Sequence, residues 1–126
     1  MGITAWRLDS GVSQMFQAMK PFQPPPPDGA GSPFQWGDES YATAMLGDAF
    51  ELRFAEANAP DRGDTGQAMW ELFATDYGPS YTLATSLDDG RRAELDDAMS
   101  AFFEGYRQGG EIIHPRLYLL VLGTRR

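Results

Sequence analysis

The hydrophobic pattern of this chain changes period several times, and each change marks an element. Ile3 to Leu8 alternates β-branched and aromatic residues with others, which predicts a strand, and Asp9-Ser10 suit the start of a helix. With Ser10 as N-cap, Val12, Met15, Phe16 and Met19 recur at i, i+3, i+4 and i+7 and form one apolar stripe. Lys20-Pro21 stops that helix. Residues 21–37 then lack periodicity and carry the run Pro24 to Pro27, which predicts a stiff, extended surface crossover rather than a ligand for a proline-binding domain. Asp38 is placed to cap a short helix over Glu39 to Leu46, closed by Gly47. Phe50, Leu52 and Phe54 alternate with Glu51, Arg53 and Ala55, the pattern of an edge strand running to Ala57.

The second half begins with Asp64 and Gln67, spaced as a capping box, ahead of Trp70, Phe73, Ala74 and Tyr77 at helical intervals; Gly78-Pro79 ends that stretch. Ser86 with Asp89 predicts the start of the longest helix, whose stripe is Leu95, Met99, Phe102 and Tyr106 and whose stop is Gly109-Gly110. The chain closes on Leu117 to Leu122. Leu117, Leu119 and Val121 point one way and Tyr118, Leu120 and Leu122 the other, so this strand calls for a neighbour on each edge and a layer over each face. Only Ile3–Leu8 and Phe50–Ala57 are available as neighbours. The expected fold is therefore α/β, a three-stranded mixed sheet with the closing strand central and four to five helices. Periodicity leaves the strand directions open.

Composition narrows the partners. The chain has 126 residues, enough for one core, and a formal net charge of −8, which opposes binding to nucleic acid or to anionic membranes. It has no cysteine, so thiolate chemistry and disulfides are excluded. No apolar run approaches the length of a membrane span, and the expected compartment is the cytoplasm. The lone histidine, His114, precedes Pro115 and reads as a solvated loop residue. Asp88-Asp89 and Asp96-Asp97 are consecutive helix positions that do not share a face, and they read as a helix start and a solvated pair respectively. One histidine and scattered acids show no metal-ligand spacing.

Several phrases in order resemble the C-terminal half of class I S-adenosylmethionine-dependent methyltransferases of the bacterial small-molecule, ubiquinone-biosynthesis-like group. They are Ile3 to Trp6 followed by Gly11 to Phe16, the Pro24 to Pro27 run, Ser32 to Glu39, Trp70 to Phe73 with Tyr77-Gly78-Pro79, and Tyr118 to Arg125. The resemblance implies sheet order 3-2-1-4-5-7-6, with the last strand antiparallel between the fifth and sixth. It makes residues 1–126 a single partial domain, with 64–86 a helical insertion resembling a substrate cover. It also implies a substrate-binding set of Trp6, Phe16, Trp70, Phe73 and Tyr77, Trp6 lying where ligands of open α/β sheets bind, beyond the carboxyl ends of the strands; for Phe16, Trp70, Phe73 and Tyr77 the alternative is core, the more common place of an aromatic stripe at helical spacing. The family's glycine-rich cofactor loop and ribose-binding acid have no counterpart, so no catalytic or cofactor-binding residue is assigned. S-adenosylmethionine belongs to the parent family, and this chain by itself is expected to bind none and to be inactive. A homodimer or a complementary half is the expected partner, with a small-molecule substrate possible. The alternative is a non-catalytic assembly module that oligomerises through the open edge of its first strand.

Overall fold

A computed structural model describes residues 1–126. In chain order the elements are β1 (Gly2–Trp6), α1 (Gly11–Met19), a 3-10 turn (Lys20–Phe22), a second 3-10 turn (Pro33–Gly37), α2 (Glu39–Leu46), β2 (Phe50–Asn58), β3 (Asp61–Gly63), α3 (Gly66–Asp76), α4 (Gly78–Ser86), α5 (Asp89–Glu104), β4 (Arg107–Gln108), β5 (Glu111–His114) and β6 (Leu117–Arg125). They divide into two compact units, one of residues 1–14, 26–60 and 115–126, the other of residues 15–25 and 61–114.

The first unit holds a sheet in the order β1-β6-β2, with both pairings antiparallel, so the sheet is antiparallel and not mixed as expected. The closing strand is central, as its apolar run requires. Register places Ile3 and Phe54 opposite Val121, and Ala5 opposite Leu119, so these side chains share a face. Ala42 of α2 joins Leu119 and Val121 in a small core against which Ile3, Leu52 and Phe54 pack. Asp38 caps α2 through its carboxylate, which accepts the Tyr41 N–H at 2.9 Å. The expected layer over the second face is incomplete: Tyr118 and Leu120 are half-buried and Leu122 is 48% exposed. All four residues of the Pro24–Pro27 run are exposed.

The second unit differs more from expectation. Thr65, not Asp64, caps α3, its hydroxyl accepting the Ala68 N–H. Gly78-Pro79 ends α3, as expected, but it also opens a further helix, α4, where the missing proline N–H costs nothing in the first turn. Asp88 rather than Ser86 caps α5. That helix stops at Glu104, so Tyr106 lies outside it, and Gly109-Gly110 is the turn of a hairpin instead of a helix stop. Gly109 has φ 62, the left-handed value that the first residue of a tight two-residue hairpin turn needs. The hairpin belongs to a second antiparallel sheet, β3-β5-β4, whose strands are too short to show a period. Met15, Met19, Trp70, Leu95, Met99 and Phe103 form the centre of this unit's core.

Candidate functional site

A concave feature of the first unit lies where β1 ends. Trp6 is the last residue of β1 and stands opposite Tyr118 of β6, so the pairing register brings two aromatic side chains to one face. Their rings meet edge to face, with centroids 6.3 Å apart and planes at 83°. Together with Thr4, Ala5 and Ala59 they line a cleft of about 330 Å³. That volume is at the small end of the range for small-molecule sites.

Its rim is tied down by Arg116. The Arg116 backbone N–H donates to Asn58 Oδ1 at 2.9 Å, its Nε donates to the Ala59 carbonyl at 2.6 Å, and the Ala59 N–H returns a bond to the Arg116 carbonyl at 3.0 Å. These bonds hold the guanidinium over the Trp6 ring, 5.7 Å from its centroid, within cation–π range. Behind the tryptophan, Gly37 lies so close to β1 that a Cβ there would stand 2.2 Å from the Trp6 carbonyl oxygen. One residue on, Arg7 ion-pairs with both Asp9 and Glu56. Hydrogen bonding from Arg7 holds the Asp9 carboxyl below its usual range. Trp6 is thus fixed from its backbone outwards while its ring remains half-exposed.

The other four residues expected at a substrate site lie in the second unit. Trp70 is 1% exposed and Phe73 8%, both within the apolar core. Phe73 stacks on Phe103 at 5.3 Å and meets Tyr77 edge-on at 5.6 Å, and Tyr77 meets Phe16 at 6.4 Å. Phe16, Phe73 and Tyr77 therefore form one run of touching rings. The Trp70 indole N–H donates to Asp96 Oδ1 at 2.7 Å, and Arg92 Nε donates to the same oxygen at 2.8 Å. Asp96 is accordingly a paired side chain, not one of a solvated pair. A polar hollow of about 400 Å³ lies beside it, between α3 and α5.

His114 also departs from expectation. It ends β5 with 0% exposure, enclosed edge-on by Phe73, Phe102, Phe103 and Tyr106 at 5.0 to 6.1 Å. Short strands hid this burial, because without β5 the residue looked like loop. The same environment pushes the Tyr106 hydroxyl upward in pKa through desolvation. Tyr118, Arg116 and Ala59 were not singled out in sequence. The signal for Tyr118 was present in the alternation of β6, but only register shows which β1 residue it faces.

The residues present do not fit an S-adenosylmethionine cradle. The N–H groups of Gly11, Val12 and Gln14 at the start of α1 are already bonded to Pro115, Ser10 Oγ and the Ser10 carbonyl. The two glycines with positive φ, Gly29 and Gly109, sit in the proline-rich crossover and the β4–β5 hairpin. No group of three or more histidine or acidic side chains converges on a metal-sized point. No helix is long and apolar enough to cross a membrane.

No family model matches the chain. It is similar to uncharacterized proteins of Mycobacterium tuberculosis and Mycobacterium bovis, 27% identical over 130 residues, an alignment covering 100% of this chain and 47% of each relative. The chain spans about half the length of the curated relatives it matches.

Proposed function

We propose that this chain is the substrate-side half of an S-adenosylmethionine-dependent small-molecule methyltransferase, inactive by itself and acting in the cytoplasm. The observation that carries the reading is the order β1-β6-β2, in which the closing strand lies between the other two and runs antiparallel to both. This is the arrangement of the fifth, seventh and sixth strands in the resembled family. The greater length of the mycobacterial relatives agrees with a second half elsewhere in a complete protein. In this reading the Trp6–Tyr118 cleft holds the methyl acceptor, and the donor is held by the complementary polypeptide. When bound, the donor would supply the electrophilic methyl group; this chain's part is to seat and orient the acceptor. Calorimetric titration with S-adenosylmethionine tests it: no heat with the chain alone, and saturable binding once the unmatched segment of the M. tuberculosis relative is supplied. A complex of the two that binds no donor would refute the proposal.

A second reading, a non-catalytic assembly module, is favoured by the start of the outer edge of β1, ahead of the end at Trp6 that the Pro33–Gly37 turn packs against. That strand pairs with β6 alone. The bonds Met1 N to Gly123 O and Arg7 N to Leu117 O show that odd-numbered β1 residues bond inward, which leaves the N–H of Thr4 facing out. Thr4→Pro removes that outward donor and keeps the inward ladder. Ile3→Lys would be a poor probe, because Ile3 packs against the core. A dimer in sedimentation that Thr4→Pro converts to monomer supports edge pairing; a dimer that persists removes this edge from consideration.

A further inference from the structure

Two aspartates in the chain are followed by glycine, Asp28 before Gly29 and Asp89 before Gly90, and the fold treats the two pairs differently. Such a pair carries its own chemistry. Glycine has no Cβ, so its main-chain nitrogen is the least hindered one that can follow an aspartate and attack that side chain. All four residues are exposed, so access to water does not separate the pairs. Their backbone bonding does.

Asp28 and Gly29 are the central residues of a tight turn just after the Pro24–Pro27 run, closed by the Ala30 N–H donating to the Pro27 carbonyl at 3.1 Å. Gly29 has φ 78, the left-handed value that favours glycine at the third position of such a turn. A Cβ at residue 29 would meet nothing within 4 Å, so the space around the nitrogen is open. The Asp28 carboxylate and the Gly29 N–H have no partner in the chain. Turning the Gly29 peptide toward the Asp28 side chain therefore releases one hydrogen bond, that of the turn.

Asp89 and Gly90 lie in the first turn of α5. Asp88 caps that helix by accepting the Arg91 N–H at 2.8 Å, and its carbonyl accepts the Arg92 N–H at 2.8 Å. The same peptide rotation at Gly90 carries Asp88 away from both donors, so the cap and the first helical bond are lost together.

We propose that Asp28-Gly29 is a site of spontaneous aspartate isomerisation. The Gly29 nitrogen attacks Cγ of the protonated Asp28 carboxyl. An N–Cγ bond forms, a Cγ–O bond breaks, and the hydroxyl leaves as water with the amide proton. Water then adds to the five-membered imide. Attack at Cγ restores aspartate, whereas attack at the main-chain carbonyl carbon breaks its bond to nitrogen and leaves isoaspartate. The water lost first is regained, so mass is unchanged and no redox partner or metal takes part. The main chain now runs through the Asp28 methylene, which adds one atom to the ring closed by the Pro27–Ala30 bond.

The test ages the full chain at neutral pH, digests it, and distinguishes the isomers by electron-transfer fragmentation, which cleaves the Cα–Cβ bond of an isoaspartyl main chain. A dehydrated form should appear at residues 28–29, followed by an isomer of unchanged mass. Conversion there should outpace that at Asp89-Gly90 by roughly fivefold to thirtyfold, the rate factor equivalent to a helix cap. In strong denaturant the two rates should converge. Asp28→Glu, which makes the required ring six-membered, should abolish the signal at residue 28 and leave conversion at Asp89 as it was. Equal native rates, or a faster rate at Asp89, overturn the proposal. So does a ratio that survives in denaturant, or the absence of isomer at residues 28–29 over a time in which the denatured chain converts. None of these outcomes depends on a methyl donor or a complementary half.

Discussion

Gly37→Ala tests whether the cleft depends on the close approach behind Trp6. A Cβ at residue 37 would lie 2.2 Å from the Trp6 carbonyl oxygen and 2.7 Å from both the Trp6 carbonyl carbon and Arg7 Cα, whereas ordinary contact starts at 3.4 Å. The shortfall is about 1.2 Å, and every atom it meets is backbone, so no side chain can swing aside. The 3-10 turn at Pro33–Gly37 or the end of β1 must move instead. Overpacking against such atoms costs about 3 kcal/mol, and the reduced freedom of the unfolded alanine chain returns about 0.5 kcal/mol. The net loss of roughly 2.5 kcal/mol corresponds to a fall of about 10 °C in Tm for a chain of this size. Differential scanning calorimetry measures it, and the Trp6 indole resonance should shift in the same variant. Gly90→Ala is the control: its Cβ would meet nothing closer than Asp88 Oδ1 at 3.6 Å, inside the first turn of α5, so stability should hold or rise by about 0.5 kcal/mol. A Gly37→Ala variant within 2 °C of wild type, with its Trp6 signal unmoved, would refute the reasoning about how Trp6 is held.

Other outcomes follow from the second unit. Gly66→Ala would put a Cβ 2.1 Å from the Ser100 carbonyl where α3 meets α5, and should lower stability by about 2 kcal/mol in urea unfolding; an unchanged midpoint would mean the helices separate freely. Bonds from Arg107, and then from the Gly66 N–H, hold the Glu104 carboxyl below its usual pKa. Its stabilising contribution is therefore present above the unfolded carboxylate value, near 4.3, and lost as pH falls through the lower folded value. Wild type should lose its advantage over Glu104→Gln in thermal scans between about pH 5 and 3, and a gap that stays constant with pH would contradict this. Trp70→Phe removes the indole bond to Asp96 and should cost about 1 to 2 kcal/mol in urea unfolding; an unchanged midpoint would mean that this bond adds nothing to stability.

Local signals in the sequence were sufficient for elements that announce themselves within one turn or one alternation. Asp38 before Tyr41, Ser10 before the Val12–Met19 stripe, and the two-sided apolar run of β6 each specify a structure through neighbours a few residues away. The central place of β6 was legible for the same reason, since a strand so apolar needs two flanking strands and the chain offers only two of adequate length. Trp6 was legible as a position, the carboxyl end of β1, although its environment was not.

Tertiary structure decided what depends on which distant residues meet. The sheet β3-β5-β4 is built of strands of two to four residues, and such strands carry no period of their own; they exist because partners 49 residues or more apart in sequence hold β3 to β5. Burial of His114 follows from that pairing, so a residue that reads locally as loop becomes the centre of an aromatic enclosure. Likewise the cleft needs Tyr118 opposite Trp6 and Arg116 tied to Ala59, contacts set by strand register across 112 and 57 residues. Alternation says which side chains share a strand face, but a slip of one residue in register would send every one of them to the other side. The sequence alone therefore determined where β1, β2 and β6 run and which residues they offer; the registered sheet decided which of those residues make a site.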